Sequence, residues 1–288
     1  MKFGCCTKAE NYRALAACGY DFIELSGHEV RYMEQAQWQE LVQEIHRTGV
    51  PCIGFNDYCH QQPAIVGEGF DPEAVRDYAQ RLLDRGAQLQ IQNVGIGAPT
   101  ARRLPAGYPE ELAEEQCCRF LEITAEEAAK RNIRVLFEAV HSHMCDYANR
   151  TEDALRLIEK VAAPNLFMVL DFYHMEVMGE DRLAIEPYIP YVRHTHFSHC
   201  APAYAREYPG PADLEDLTRI LTKLRALGYD GSASVEAETR DFPVDAARSL
   251  AVFRRAVGHI QGRAVRRQGA AAHQNGPVGA GLAGGGAD

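Results

Sequence analysis

The sequence predicts a single (β/α)8 TIM barrel, on three observations. Short apolar runs alternate with longer amphipathic segments eight times before about residue 260, and strands separated by helices pair in parallel. Eight units over that span match the roughly 250 residues that a closed α/β barrel uses. No GxGxxG follows the first apolar run, which weakens the alternative of an open dinucleotide-binding sheet. At 288 residues and 46% hydrophobic, the chain is long enough and apolar enough for such a core.

The units follow in order. KFGCC (2–6) reads as a strand and ENYRALAACG (10–19) as its helix, stopped by glycine. DFIEL (21–25) precedes the amphipathic QAQWQELVQEIHRTG (35–49), where Trp38 reads as packing. PCIGF (51–55) precedes DPEAVRDYAQRLLDRGA (71–87), which opens with an Asp cap and Pro at the first helical position. LQIQNVGI (89–96) precedes the long helix 109–132, acidic at its start and basic at its end, as the helix dipole favours. RVLFEAV (134–140) pairs with helix 151–162, and NLFMVLD (165–171) with a weakly marked helix around 182–188. YVRHTHF (191–197) precedes helix 213–228, and GSASVEA (231–237) precedes helix 243–260. The barrel is expected over 1–261. Residues 262–288, rich in Gly and Ala with little to bury, are expected to form a disordered tail.

The C-terminal ends of barrel strands face the active site, so those ends are where chemistry should sit. The fifth strand ends at Glu138 in VLFEAVHSH, and the sixth at Asp171 in VLDFYH. The seventh carries His194 and His196 in RHTHFSH, and the eighth carries Glu236 in SVEAE. Residues two apart on a strand share a face, so both histidines point inward. His196, nearer the end, is the expected ligand, with His194 a layer deeper. Three buried carboxylates would repel one another without a cation. Three carboxylates and one imidazole suit Mn2+ best, with Mg2+, Co2+ or Zn2+ also compatible. Glu24, Asn56, Asp57 and His60 end or follow earlier strands and could close the pocket. Arg102 and Arg103 follow the fourth and could meet an anionic substrate group.

The pattern of Glu at strand five, DxxH at strand six, HxH at strand seven and Glu at strand eight resembles the sugar phosphate isomerase/epimerase superfamily, the xylose isomerase-like barrels. The resemblance spans residues 1 to about 260. It implies Glu138, Asp171, His196 and Glu236 as metal ligands, with Glu138 and Glu236 as the acid/base pair. It implies His174 of DFYH at the substrate oxygens. Arg206 in REYPG is similar to the family's R-x-x-P-G segment, whose arginine binds substrate hydroxyls. The segment after Glu138 departs from the epimerase pattern of Pro-Leu-Asn and a second Glu six residues on. Here Met144 stands in that place, and His141 and His143 are candidates for substrate binding or additional acid/base work.

The expected activity is a divalent-metal-dependent sugar isomerase or epimerase, working through a metal-stabilised enediolate on a ketose, keto-polyol or related sugar. The main alternative is a metal-dependent lyase or dehydratase on an inosose or 3-keto-glycoside, including C-glycoside cleavage, because it begins with the same proton abstraction. A phosphodiesterase of the endonuclease IV type and a non-catalytic sugar-binding barrel rank lower. The net charge of −10 disfavours a nucleic-acid partner. No apolar run approaches the roughly 18 residues of a membrane span. Nine scattered cysteines without a CxxC or a signal peptide point to reduced thiols and a cytoplasmic location. The expected partner is a small sugar or polyol, and a homo-oligomer is possible.

Overall fold

A computed structural model describes residues 1–239 and 241–274. Strands β1 (Lys2–Thr7), β2 (Phe22–Ser26), β3 (Cys52–Asn56), β4 (Asn93–Ile96), β5 (Arg134–Glu138), β6 (Leu166–Asp171) and β7 (Val192–Phe197) pair in parallel, each with the next. An antiparallel hairpin follows, β8 (His199–Ala201) with β9 (Ala205–Glu207). The last strand, β10 (Ser232–Val235), pairs with both β7 and β1 and closes the barrel. The predicted (β/α)8 TIM barrel is therefore what the chain forms.

Nine helices run through the described residues: α1 (Tyr12–Cys18), α2 (Gly27–Tyr32), α3 (Gln35–Thr48), α4 (Pro72–Gln88), α5 (Glu110–Ala129), α6 (Thr151–Val161), α7 (Phe172–Val177), α8 (Leu214–Ala226) and α9 (Phe242–Gln274). The start of α4 follows from its sequence. The Asp71 carboxylate accepts from the Glu73 N–H, and Pro72 needs no donor there. At the end of α3, Gly49 takes φ +74°, a left-handed cap that glycine adopts without strain. Trp38 is fully buried, as expected, and its indole N–H donates to Gln88 at 2.8 Å.

Four features differ from the sequence reading. The short helix α2 directly follows β2, because the Ser26 hydroxyl caps it by accepting from the Glu29 N–H at 3.1 Å. The sixth helix is α7, not 182–188, where the chain forms turns. The β8–β9 hairpin occupies what reads as loop. Helix α9 continues to Gln274, past the Gln261 boundary drawn from composition. The Ala- and Arg-rich run there favours helix intrinsically. The rest of the expected tail, 275–288, lies outside the described residues.

No helix among the described residues is long and apolar enough to cross a membrane.

Candidate metal centre and active site

Asp171 ends β6 and begins α7 at once. Its Oδ1 accepts from the Tyr173 N–H at 2.8 Å and more distantly from the His174 N–H at 3.4 Å. That cap starts the helix immediately after the strand, which turns His174 back toward the barrel axis. It also leaves Oδ2 pointing at the other strand ends.

The four expected ligands come together there. One donor atom from each of Glu138, Asp171, His196 and Glu236 lies within 4.8 Å of the others. His196 Nδ1 stands 3.1 Å from Glu138 Oε1, 3.0 Å from Glu236 Oε2 and 4.0 Å from Asp171 Oδ2. Glu138, Asp171 and His196 are buried, and Glu236, one residue past β10, is half-buried. Gly97, just beyond β4, makes room for this packing: a Cβ there would lie 2.6 Å from Glu138 Oε2.

Burial of carboxylates raises their proton affinity, and positive neighbours lower it. For Glu138 burial dominates; it outweighs the pull of His196 and pushes the carboxyl up to about 7. Burial acts on Glu236 as well, but Arg206 and His196 overcome it and hold that carboxyl well below the usual range. Asp171 is likewise lowered despite burial, by Arg206, His174 and His196. The Arg206 guanidinium, reaching in from β9, pairs with Asp171 and lies 2.9 Å from Glu236 Oε2. Its Nε–H donates to the Glu236 carbonyl at 2.6 Å and faces the Ser198 hydroxyl at 2.9 Å. The motif residue Arg206 thus reaches the acidic cluster although its loop is long.

A divalent cation fits this donor set. Three carboxylates converge on one nitrogen face of His196, and a cation there would balance charge that burial makes costly to leave unpaired. The opposite face of the ring is also occupied. Its Nε2 is 3.6 Å from Glu24 Oε1 and 3.8 Å from Cys6 Sγ. Glu24 is buried and lies 2.7 Å from His194 Nε2, while His194 Nδ1 lies 2.6 Å from the Ser232 hydroxyl. His194 therefore sits one layer deeper, as its position two residues before His196 implies. The contact between Glu24 and His194 was not expected from the sequence, because nothing local pairs β2 with β7 across the barrel.

The other expected residues divide. His174 is buried, with Nε2 3.7 Å from Asp171 Oδ2, and its Nδ1 accepts from the His141 N–H at 3.5 Å. Burial outweighs the pull of Asp171 and brings His174 down to about 3, so its ring is neutral. His141 is buried beside it, its Nε2 3.3 Å from the Tyr173 hydroxyl. His143 is exposed and stacks on Tyr204 of the hairpin, centroids 4.3 Å apart. Asn56 donates to Glu236 Oε1 at 2.8 Å. His199 faces Asp213 at 2.7 Å, away from the cluster.

The two arginines after β4 are not placed for an anionic ligand. Arg102 is fully buried and donates to the carbonyls of Tyr147 and Ala148 at 3.3 Å, of Glu138 at 3.1 Å and of Gly97. Arg103 pairs with Asp146 at 3.1 Å. Beside Glu236 opens a cavity of about 680 Å³, lined by Cys6, Lys8, Asn56, Asp57, Arg206 and Tyr208 among others.

A closed (β/α)8 barrel with a carboxylate-rich cluster at its strand ends, able to hold a metal ion, defines the class of fold and site. Within it, the family model for xylose isomerase-like TIM barrels matches residues 12–256, and the chain belongs to that family. An L-ribulose 3-epimerase of Methylomonas sp. (strain DH-1) is 25% identical over 229 residues, 77% of this chain and 75% of that protein. A ketose 3-epimerase of Arthrobacter globiformis is 27% identical over 131 residues, 45% of this chain and 44% of that protein. Among solved structures, a 3-keto-D-glucoside 4-epimerase from E. coli superimposes with a TM-score of 0.73 at 22% identity, covering 88% of this chain and 99% of that one. That last likeness is one of fold.

Proposed function

We propose that the chain is a divalent-metal-dependent sugar isomerase or epimerase that moves a proton at a carbon beside a sugar carbonyl. The observation that carries this reading is the convergence of one donor atom each from Glu138, Asp171, His196 and Glu236 within 4.8 Å, beside a cavity of about 680 Å³. The relatives that are epimerases support it. When bound, a divalent cation, Mn2+ best matching this donor set, supplies Lewis acidity to the adjacent substrate oxygens.

The chain's own residues do the rest. Glu138 Oε1 and Glu236 Oε2 lie 3.1 and 3.0 Å from His196 Nδ1, and these two carboxylates serve as the acid/base pair of the proposed reaction. One removes the proton, and the other returns one. Return to the opposite face inverts the centre; return to the neighbouring carbon isomerises it. Asn56 fixes Glu236 by donating to its Oε1. Arg206 is placed to bind substrate hydroxyls next to Asp171 and Glu236. Because His174 Nδ1 accepts a backbone N–H, the ring proton sits on Nε2 and is available as a donor.

A lyase reading on an inosose or 3-keto-glycoside shares the first proton transfer. It would use His141, buried against the Tyr173 hydroxyl and His174, as an additional acid/base group.

Incubation with Mn2+ and a panel of ketoses, inososes and 3-keto-glycosides in deuterated water tests the proposal. Deuterium is expected at a carbon beside the carbonyl, with Glu236→Gln lowering the rate by roughly 10²–10⁴-fold. A substrate turned over with no label in recovered substrate or product would overturn it.

A further inference from the structure

A second cavity, of about 580 Å³, adjoins the first. Its walls include His28 and Tyr32 of α2, Asp57 and His60 after β3, and Pro99 and Thr100 after β4. Asp57 lines both cavities, and its chain neighbour Asn56 holds Glu236. Adjacent Cα atoms are about 3.8 Å apart, so the residue shared by the two cavities is the immediate neighbour of the one that holds Glu236.

The junction is built rather than incidental. Asp57 adopts φ +45°, a conformation a non-glycine residue rarely takes and one that gathers at ligand sites. Three contacts fix it there. The Ser26 hydroxyl donates to Oδ2 at 2.7 Å, His60 Nε2 lies 3.3 Å from Oδ1, and its carbonyl accepts the His28 N–H at 2.9 Å.

The second cavity is lined by ring side chains. The His28 and His60 imidazoles stack with centroids 3.6 Å apart and planes 16° apart. Tyr32, four residues along α2 from His28, lies on the same helical face with its ring 5.0 Å away. It is 56% exposed, a large aromatic left open in a concave site. Cavities of several hundred Å³ suit ligands larger than one sugar ring, and here two of them share the lining residue Asp57.

We propose that this cavity is an aglycone subsite. It takes a flat-faced ring joined through a glycosidic oxygen to the sugar held at Glu236. The substrate class is then a glycoside rather than a free monosaccharide. This rests on the sugar-processing reading above and narrows it. Aromatic side chains stack equally on an aryl ring and on the apolar face of a second sugar, so the shared chemistry is the ring face.

The test uses the full chain loaded with Mn2+ and titrates three unreactive probes calorimetrically: methyl β-D-glucopyranoside, phenyl β-D-glucopyranoside and cellobiose. Stacking of one ring predicts about five- to tenfold tighter binding for the phenyl glucoside, cellobiose or both than for the methyl glucoside. A gain for the phenyl probe assigns an aryl aglycone; a gain for cellobiose assigns a sugar. Tyr32→Ala should remove the gain and leave the methyl glucoside unchanged, and Tyr32→Phe should keep it. Equal affinities for all three probes, no binding of any, or a gain that survives Tyr32→Ala would overturn the subsite. Proton exchange on the same preparation separates this from the reaction itself. Exchange without the affinity gain sinks only the subsite, and the gain without exchange sinks only the proposed reaction.

Discussion

At the scale of single residues, Asp171 shows how one side chain serves fold and site together. Its Oδ1 caps α7, and its Oδ2 faces Arg206 and His196. The two roles separate by substitution, because asparagine can still accept through an oxygen while carrying no charge. Asp171→Asn should therefore keep the α7 cap yet weaken Mn2+ binding by at least about tenfold. Asp171→Ala should lose binding similarly and cost about 1 kcal/mol more in stability. Urea melts beside metal titrations of the two variants check this; equal stability of the pair would mean that the cap contributes nothing. The convergence of Glu138, Asp171, His196 and Glu236 was legible because each sits at or beside the end of a predicted strand, and Arg206 because a short motif marks it. The partners Glu24 and Cys6 behind His196 were not, since they arrive from β1 and β2 through barrel closure.

At the scale of elements, the strands and most helices could be read from periodicity, and the misses share a cause. Helices α2 and α7 have six residues each and are started by a side-chain cap, Ser26 and Asp171; they are too brief to show a 3.6-residue pattern. The β8–β9 hairpin has the same problem with three residues per strand. Arg102 illustrates a different limit. A loop arginine reads as a solvated or anion-binding group, but here it is fully buried and clamps the carbonyls that follow β4 and end β5. Arg102→Met should leave those acceptors unpaired and destabilise the protein by at least about 2 kcal/mol. Chemical denaturation measures it. Wild-type stability in that variant would show that the clamp is dispensable.

At the scale of the whole molecule, the site exists only because the sheet closes. Pairing of β10 with β7 and β1 brings Glu236 beside His196 and Glu138, which no local stretch of sequence places together. Topology made that legible in outline: eight units imply a ring, and a ring implies that the last strand meets the first. The cavity beside α2 was not legible, because it depends on loop conformations such as the left-handed Asp57. The proposed reaction requires the four strand ends to hold one divalent cation. Titration of chelator-treated protein with Mn2+ by calorimetry tests it most directly. One equivalent should bind to the wild type, with binding lost or sharply weakened in His196→Ala at unchanged fold. No uptake by the wild type, or undiminished uptake by His196→Ala, would contradict it.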